Sequence, residues 1–208
     1  MKGLLIVGGR APSRALFADC LRDAEIVVAA DSGLQTALSL GVEPDLVVGD
    51  MDSLEQDDIL KRFPADRLFL FPSDKDETDT EIGVRMLWER GCTEVVIAGG
   101  GEGRLDHLLA IALLFERDPA PRRWLTHKED VRLVEGEAEY KGWEGNTVSL
   151  FPLGSRASGL SSDGLKWPLD GLSFQRGRAS VSNFVVARRL RITVRHGKLL
   201  LIRLLEEP

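Results

Sequence analysis

The chain has 208 residues, of which 43% are hydrophobic and 29% are charged. This length and balance are those of a globular protein with one large or two small domains, and they exclude a disordered chain. The formal net charge of -6 argues against a nucleic-acid-binding protein, which needs a surface of clustered lysine and arginine. No apolar stretch reaches the roughly 18 residues of a membrane span. Neither nucleic acid nor membrane is therefore expected as a partner.

The N-terminus and the cysteines both favour a cytoplasmic protein. Residues 1–9 run directly into an apolar strand and lack the cleavage pattern of a signal peptide. Cys20 and Cys92 are far apart and match neither a redox motif nor a metal motif, which is typical of a reducing compartment. Because the chain has three scattered histidines, a zinc site has too few ligands, and any metal is expected to be held by oxygen.

Up to about residue 118, short β-branched runs alternate with helical stretches. This alternation predicts a parallel sheet that crossover helices cover on both faces. The predicted strands are 4–7, 26–30, 46–48, 68–71 and 95–98, and the predicted helices are 12–22, 33–40, 55–63, 79–90 and 104–117. Gly41 and Gly91 follow two of these helices, as a left-handed C-terminal cap requires.

After the proline-containing segment 118–121 the pattern changes. One more strand is predicted around residues 125–134, and glycines then separate short strands at 147–150, 179–186, 190–194 and 199–204. Arg195–Lys198 is expected to form a tight hairpin turn. The sequence therefore predicts an α/β fold in which a parallel-sheet α/β domain, residues 1–135, is followed by a small antiparallel β-sandwich domain, residues 136–208.

Acidic side chains follow four of the predicted strands. They lie in Asp31-Ser32-Gly33, in Gly49-Asp50-Met51-Asp52-Ser53, in residues 74–79 and in residues 99–107. Each acid alone is also consistent with a helix N-cap, and Thr78–Glu81 matches a capping box. Ligands of open parallel sheets bind outside the carboxyl ends of the strands, so the four loops are expected to share one rim. Two carboxylates about 5 Å apart repel by roughly 3 kcal/mol, which favours a bound cation such as Mg²⁺.

A glycine run at residues 99–103 lies between a predicted strand and a predicted helix. Backbone N–H groups in such a loop, together with the helix dipole, attract phosphate, and Arg104 and His107 would add cationic donors. The chain has neither a P-loop motif nor the dinucleotide GxGxxG fingerprint. The two commonest nucleotide motifs are therefore excluded.

Six motifs in this order resemble the thiamine pyrophosphokinases. They are Asp31-Ser32-Gly33, Gly49-Asp50-Met51-Asp52-Ser53, Asp76-Glu77-Thr78-Asp79, Gly103-Arg104-Leu105-Asp106-His107, Gly164-Leu165-Lys166-Trp167-Pro168-Leu169 and Ser182-Asn183. The resemblance implies an α/β catalytic domain, a β-domain that contributes to the thiamine site, and a homodimer with active sites at the subunit interface. It also implies a Mg²⁺-dependent transfer of pyrophosphate from ATP to the hydroxyethyl group of thiamine, which gives thiamine pyrophosphate and AMP.

The resemblance also implies roles for individual residues. The expected catalytic and Mg²⁺-binding residues are Asp50, Asp52, Asp79 and Asp106. The residues expected to bind ATP and its phosphates are Asp31, Ser32, Gly100, Gly101, Gly103, Arg104 and His107. The expected thiamine-binding residues are Asp76, Ser182, Asn183 and Phe184. Trp167 is a second aromatic candidate for the thiamine cation, although packing in the core of the β-domain is the favoured interpretation for it.

Three alternatives remain open at this point. The same catalytic domain could serve a pterin-type alcohol, although Lys166–Leu169 and Ser182-Asn183 favour thiamine. Asp50-Met51-Asp52 after a strand is also typical of haloacid-dehalogenase-like phosphatases, in which the first aspartate is the nucleophile. A nucleotide- or thiamine-sensing module without activity is the third alternative. It is favoured by Glu77 and Glu102, where the family commonly has other residues.

Overall fold

The computed structural model describes residues 1–50, 57–72 and 74–205, which form two compact units. Unit 1 comprises Met1–Leu114 and Pro119–His127, and unit 2 comprises Phe115–Asp118 and Lys128–Pro208. The division at 127/128 lies earlier than the predicted boundary at 135/136. The reason is that residues 129–141 form one long strand of unit 2, which the predicted boundary would cut.

Unit 1 is a parallel sheet flanked by helices. Its strands are β1 (Lys2–Val7), β2 (Ile26–Ala30), β3 (Leu46–Gly49), β4 (Leu68–Leu70), β5 (Glu94–Ala98) and β6 (Arg123–Leu125). Its helices are α1 (Arg14–Arg22), α2 (Gly33–Ser39), α3 (Asp57–Leu60), α4 (Asp79–Glu89) and α5 (Leu105–Leu114), with a 3₁₀ turn at Ala65–Arg67. None of the described helices has the length and apolar character needed to span a bilayer.

The strand order of unit 1 is β6-β5-β1-β2-β3-β4, with all pairs parallel. The chain moves outward from β1 to β4 and returns through α4 to β5 on the other side of β1, so the order reverses between β1 and β5. In open α/β sheets such a reversal opens a crevice at the carboxyl ends of the two strands. β1 is buried from Gly3 to Val7, as expected for a strand covered on both faces. The predicted parallel sheet is confirmed.

Unit 2 is antiparallel. Its strands are β7 (Glu129–Lys141), β8 (Thr147–Asp163), β9 (Phe174–Gln175), β10 (Ser180–Phe184) and β11 (Arg189–Leu204). They pair in the order β10-β8-β11-β7, and β9 pairs with β8. Alternate side chains of the long strands, such as Ile192 and Val194, enter one apolar core with Leu150 and Leu160. The predicted antiparallel β-domain is confirmed.

The predicted hairpin at Arg195–Lys198 is wrong. β11 continues from Arg189 to Leu204, and its pairing with β8 shifts register between His196 and Lys198. Gly197 lies at this bulge with a φ of +84°, and a Cβ there would collide with the carbonyl oxygen of Arg156. A tight turn and a bulge both favour glycine with a positive φ, so the local sequence does not distinguish them.

Candidate active site

A cleft of about 440 Å³ opens in unit 1 at the carboxyl ends of the strands. Loops after β1, β2, β3 and β5, together with the segment that precedes α4, supply most of its walls. The lining residues are Val7, Gly8, Gly9, Ala30, Asp31, Ser32, Asp50, Lys75, Asp76, Glu77, Thr78, Asp79, Thr80, Gly100, Gly103, His107, Ala110, Ile111 and Leu114. The structure therefore brings together acids from three of the four acidic loops, whereas the acids of the loop at residues 99–107 do not line the cleft.

The glycine loops after β1 and β5 form the part of the cleft where the strand order reverses. The N–H of Gly100 donates to the carbonyl oxygen of Gly8 at 2.7 Å. A Cβ on Gly99 would collide with the carbonyl oxygen of Val7, so the two backbones approach as closely as glycine allows. This approach leaves the backbone of Gly8-Gly9 and Gly100 at the cleft wall, where the N–H of Gly100 is already bound to Gly8. Other backbone N–H groups of these glycine loops can bind an anion.

Asp31 and Ser32 line the cleft between β2 and α2. Asp31 has a φ of +49°, and its N–H donates to Val48 in β3 at 2.7 Å. The side chain of Ser32 makes no capping hydrogen bond to α2 although the residue stands at the N-cap. A Cβ on Gly8 would collide with the Ser32 hydroxyl, so this hydroxyl lies directly against the first glycine loop.

Lys75 lies between two of the predicted catalytic carboxylates. Its Nζ is 3.3 Å from Asp79 Oδ1 and 3.9 Å from Asp50 Oδ2. The lysine side chain is only 15% exposed, and those of Asp50 and Asp79 are 15% and 20% exposed. Sequence reasoning missed Lys75; the available signal was a single lysine inside the acidic run 74–79. The structure thus shows two half-buried carboxylates that share one cation.

A capping box fixes the position of Asp79 at the first residue of α4. The Thr78 hydroxyl accepts from the N–H of Glu81 at 3.2 Å, and the Glu81 carboxylate accepts from the N–H of Thr78 at 2.8 Å. The capping box expected from the sequence is therefore confirmed. Because the cap uses Thr78 and Glu81, the carboxylate of Asp79 is left to face the cleft.

Burial raises the pKa of the Asp79 carboxyl above its ordinary value. Lys75 opposes this shift of the pKa, whereas the negative charges of Asp50 and Asp31 add to it. Oδ1 of Asp79 is buried and makes no hydrogen bond of good geometry with the described residues, although Lys75 Nζ lies 3.3 Å away. A carboxylate in this position is suited to a cation of higher charge than one lysine supplies.

The donor set fits Mg²⁺ bound together with a phosphate ligand. Among the described residues there is no group of three or more His, Cys, Asp or Glu side chains placed to hold a metal. Mg²⁺ in nucleotide sites usually takes one or two carboxylates and completes its shell with phosphate and water oxygens. Asp50 and Asp79 supply two such carboxylates, and the predicted ligand Asp52 lies outside the described residues.

Five more predicted residues lie in or beside the loop after β5. His107 and Gly103 line the cleft, whereas Arg104 and Asp106 are not among the lining residues. Arg104 donates to Asp106 at 2.6 Å, and this bond holds the pKa of the exposed Asp106 carboxyl below its ordinary value. Gly101 lies behind the cleft wall, where a Cβ would collide with the ring of His127.

Asp76 and its neighbour Glu77 also line the cleft. The carboxylate of Glu77 accepts from Arg85 of α4 at 2.9 Å, and the same arginine donates to Glu89 at 3.0 Å. These bonds raise the pKa of Arg85. Glu77 therefore shares the charge of Arg85 with Glu89, which reduces its repulsion of an anion in the cleft.

In unit 2, Asn183 is buried and its amide is bound to backbone. Its Oδ1 accepts from the N–H of Phe184 at 2.8 Å and of Trp167 at 3.2 Å, and its Nδ2 donates to the carbonyl oxygen of Trp167 at 2.7 Å. The predicted thiamine-binding residue Asn183 is thus 1% exposed and holds its two aromatic neighbours in place. In this structure Asn183 positions the backbone of Trp167 and Phe184.

Both aromatic candidates of unit 2 have accessible rings. Trp167 is 53% exposed and Phe184 is 38% exposed, so the interpretation of Trp167 as a core residue is wrong. Lys166 Nζ lies 4.6 Å from the centroid of the Trp167 ring, which already binds a cation on one face. Ser182, between Val181 and Asn183, has a φ of +59°, and its N–H donates to Ser149 at 3.1 Å.

Comparison with known proteins gives matches over both units. The family model described as "Thiamin pyrophosphokinase, catalytic domain" matches residues 17–121, and "Thiamin pyrophosphokinase, vitamin B1 binding domain" matches residues 131–199. The thiamine pyrophosphokinase of Bacillus subtilis is 26% identical over 185 residues, which cover 85% of this chain and 86% of the relative.

Solved structures agree over the whole chain. A thiamin pyrophosphokinase from Geobacillus thermodenitrificans aligns with a TM-score of 0.80 and 25% identity, covering 100% of this chain and 99% of its own. A thiamin pyrophosphokinase family protein from Enterococcus faecalis aligns with a TM-score of 0.82 and 22% identity, and each chain is covered completely. The two-unit fold is therefore shared along its full length.

Proposed function

The chain belongs to the thiamin pyrophosphokinase family, and on that premise we propose that it transfers pyrophosphate from ATP to the hydroxyethyl oxygen of thiamine. The thiamine oxygen forms a bond to the β-phosphorus of ATP, the bond from that phosphorus to the bridging α-phosphate oxygen breaks, and AMP leaves. The hydroxyl proton passes to a carboxylate within hydrogen-bond reach. The observation that carries this proposal is the unit 1 cleft, in which paired carboxylates face glycine loops at the strand reversal.

Asp50 and Asp79 are the proposed Mg²⁺ ligands that line the cleft. Asp52 and Asp106 are also proposed as Mg²⁺ ligands, because they belong to the motifs that resemble the family. When bound, Mg²⁺ neutralises charge on the polyphosphate, which is most of what phosphoryl-type transfer requires. Lys75 is buried at hydrogen-bond distance from Asp79 and can turn to donate to a phosphate oxygen. It is thereby added to the proposed catalytic residues.

Five of the seven proposed ATP-binding residues line the same cleft, and Gly101 and Arg104 are adjacent to them in sequence. Backbone N–H groups of the glycine loops other than that of Gly100 bind the phosphates, and Ser32 and His107 add side-chain donors at the cleft. Arg104 donates to Asp106 through Nε and Nη2 in the structure, so the proposed contact with phosphate is assigned to its remaining Nη1 donors. The full set proposed here is Asp31, Ser32, Gly100, Gly101, Gly103, Arg104 and His107.

The proposed thiamine contacts are polar or aromatic groups on both units. Asp76 lies at the cleft of unit 1, and Ser182 and Phe184 are exposed on β10 of unit 2. An exposed ring and an acidic group both favour a permanent cation such as thiazolium. Asn183 contributes by holding Phe184 and Trp167.

Phe184→Ala is expected to raise the KM for thiamine about tenfold and to leave the KM for ATP unchanged, because one face for the thiamine cation is lost. Steady-state kinetics with each substrate varied in turn measures both constants. The matched control is Leu172→Ala, which removes another exposed apolar side chain of unit 2. An unchanged KM for thiamine in Phe184→Ala would remove this residue from the proposed site.

We also propose a homodimer with active sites at the subunit interface. Leu105, Leu109 and Leu113 lie one turn apart on α5 and are 69%, 56% and 59% exposed, so the helix carries an apolar stripe that a second copy would cover. Sedimentation is expected to give a dimer for the wild type and a monomer for Leu109→Glu, with exposed Leu70→Glu as the dimeric control. A wild-type monomer at micromolar concentration would contradict the proposal.

A cytoplasmic location is proposed as well. Neither Cys20 nor Cys92 is in a disulfide, which agrees with a reducing compartment, and ATP is available there as a substrate.

The proposed reaction is tested by AMP release from ATP and Mg²⁺ with thiamine, with a pterin-type alcohol, and with neither. AMP release that requires thiamine is expected. Release that requires the pterin would support the rival pyrophosphokinase, and phosphate release without either alcohol would support the phosphatase. Binding of both ATP and thiamine without any AMP would identify a sensing module.

A further inference from the structure

Glu102 adopts a backbone conformation that normally belongs to glycine. Its φ is +53°, and it lies in the loop after β5 between Gly101 and Gly103. The left-handed region disfavours residues with a Cβ, so such a residue persists only where its surroundings hold it. The contacts of the Glu102 side chain show which residues hold it in this conformation.

Arg10, in the loop after β1, ties the two glycine loops together at two points. Its backbone N–H donates to the carbonyl oxygen of Gly101 at 2.7 Å, and its Nη1 donates to Oε1 of Glu102 at 2.7 Å. The first bond forms an isolated antiparallel bridge between the loops. The second bond is an ion pair between the side chains of Arg10 and Glu102, one residue beyond this bridge.

The ring of His127 lies close to the same carboxylate, although neither ring nitrogen makes a hydrogen bond of good geometry with the described residues. Its Nε2 lies 3.2 Å from Glu102 Oε1, and its ring is nearly buried, with 10% of the side chain exposed. The ring fills the space that a Cβ on Gly101 would need. The loop after β5 is therefore bonded to Arg10 and packed against the ring of His127.

These three side chains act from outside the cleft. Gly9, Gly100 and Gly103 line it, whereas Arg10, Glu102 and His127 are not among the lining residues. Each member of the pair Arg10–Glu102 is adjacent in sequence to a lining glycine. Loss of the contact between Arg10 and Glu102 would therefore shift the glycine backbone that lines the cleft. It would not remove a side chain that itself lines the cleft.

We propose that Glu102, with Arg10 and His127, is a clamp that positions the two glycine loops for the polyphosphate of ATP. The inference rests on the proposed function for the identity of the ligand, and Glu102 is a positioning residue in it. The side chains of Arg10 and Glu102 are 59% and 49% exposed, and an exposed ion pair contributes little to folding stability. The clamp should consequently be visible in ATP affinity and hardly at all in thermal stability.

The test compares direct ATP binding, measured by calorimetry, in the full-length wild type and in Glu102→Gln, Glu102→Gly and Arg10→Met. Each variant is expected to weaken ATP binding about three- to tenfold while the KM for thiamine changes less than twofold. Glu102→Gly is informative because it relieves the positive φ and still removes the carboxylate. The matched control is Glu43→Gln, which breaks another Arg–Glu pair of unit 1, with Arg67 at 3.0 Å, outside the cleft.

The double variant Arg10→Met with Glu102→Gly separates a clamp from two independent effects. If Arg10 and Glu102 act through their contact with each other, the double variant binds ATP with the same affinity as the single variant that has the lower ATP affinity. Additive losses would overturn the clamp, as would wild-type ATP affinity in all single variants. Because ATP binding is measured without turnover, these outcomes stand apart from the proposed function, which fails only if the wild type releases no thiamine-dependent AMP.

Discussion

Asp79→Asn is expected to lower kcat at least about a hundredfold and to leave the protein folded. The carboxylate is a proposed Mg²⁺ ligand at the first residue of α4, where a capping box made by its neighbours fixes it toward the cleft. Asparagine keeps the shape and loses the charge that a divalent cation needs. Single-turnover AMP release measures the loss, and Asp66→Asn, at an exposed aspartate outside the cleft, is the control.

The effect of Asp79→Asn on the Tm can also be predicted in direction. Burial raises the pKa of Asp79 in the folded state, so the folded protein binds this proton more tightly than the unfolded chain does. The contribution of Asp79 to stability is therefore complete below the unfolded pKa and is lost as the pH rises through the raised folded pKa. At pH 7 the ionised carboxylate opposes folding, and Asp79→Asn should have a Tm equal to or above that of the wild type. A clear drop in Tm at pH 7 would show that Asp79 is structural.

Lys75→Met is expected to lower kcat about a hundredfold and to destabilise the protein at pH 7 by about 2 kcal/mol. The lysine is the cation between Asp50 and Asp79, and its charge opposes the upward shift of the Asp79 pKa. Without it, two half-buried carboxylates face each other, and the pKa of Asp79 rises further. The deficit should shrink as the pH falls through that pKa, because protonation removes the repulsion.

Mg²⁺ gives a second readout for the same variant. A divalent cation held by Asp50 and Asp79 should restore part of the lost Tm in Lys75→Met at pH 7 and should change the wild type less, since lysine already supplies one positive charge to the pair. Lys141→Met is the control, because this lysine is 70% exposed and pairs with Glu139 in unit 2. A pH-independent deficit that Mg²⁺ leaves unchanged would mean that Lys75 acts by packing alone.

The parallel sheet and the acidic rim could be predicted because both depend on local patterns. In an α/β chain, a buried β-branched run such as Val95–Ala98 indicates a strand of a sheet that is covered on both faces. The acids follow these strands directly in sequence, which predicts their place at the carboxyl ends. Which members of an acidic run face inward depends on where the next helix begins. Lys75 was missed for that reason, and the same geometry separates the lining His107 from the exposed Asp106 beside it.

Unit 2 was less predictable because long-range packing decides its details. Gly197 has the same local signal in a bulge as in a turn, and the features that identify the bulge, the pairing with β8 and the close approach of the Arg156 carbonyl oxygen, are long-range. Trp167 is a large apolar side chain, yet Asn183 holds its backbone so that the ring stays exposed. Contacts 16 residues apart in sequence are not visible in local patterns.

The mass of thiamine after incubation with the protein, ATP and Mg²⁺ tests the central claim most directly. The proposed reaction predicts thiamine heavier by two phosphoryl units, with AMP formed in equal amount. Asp79→Asn should leave the thiamine mass unchanged under the same conditions. Thiamine heavier by one phosphoryl unit with ADP, or unmodified thiamine with the wild type, would contradict the pyrophosphoryl transfer proposed for this cleft.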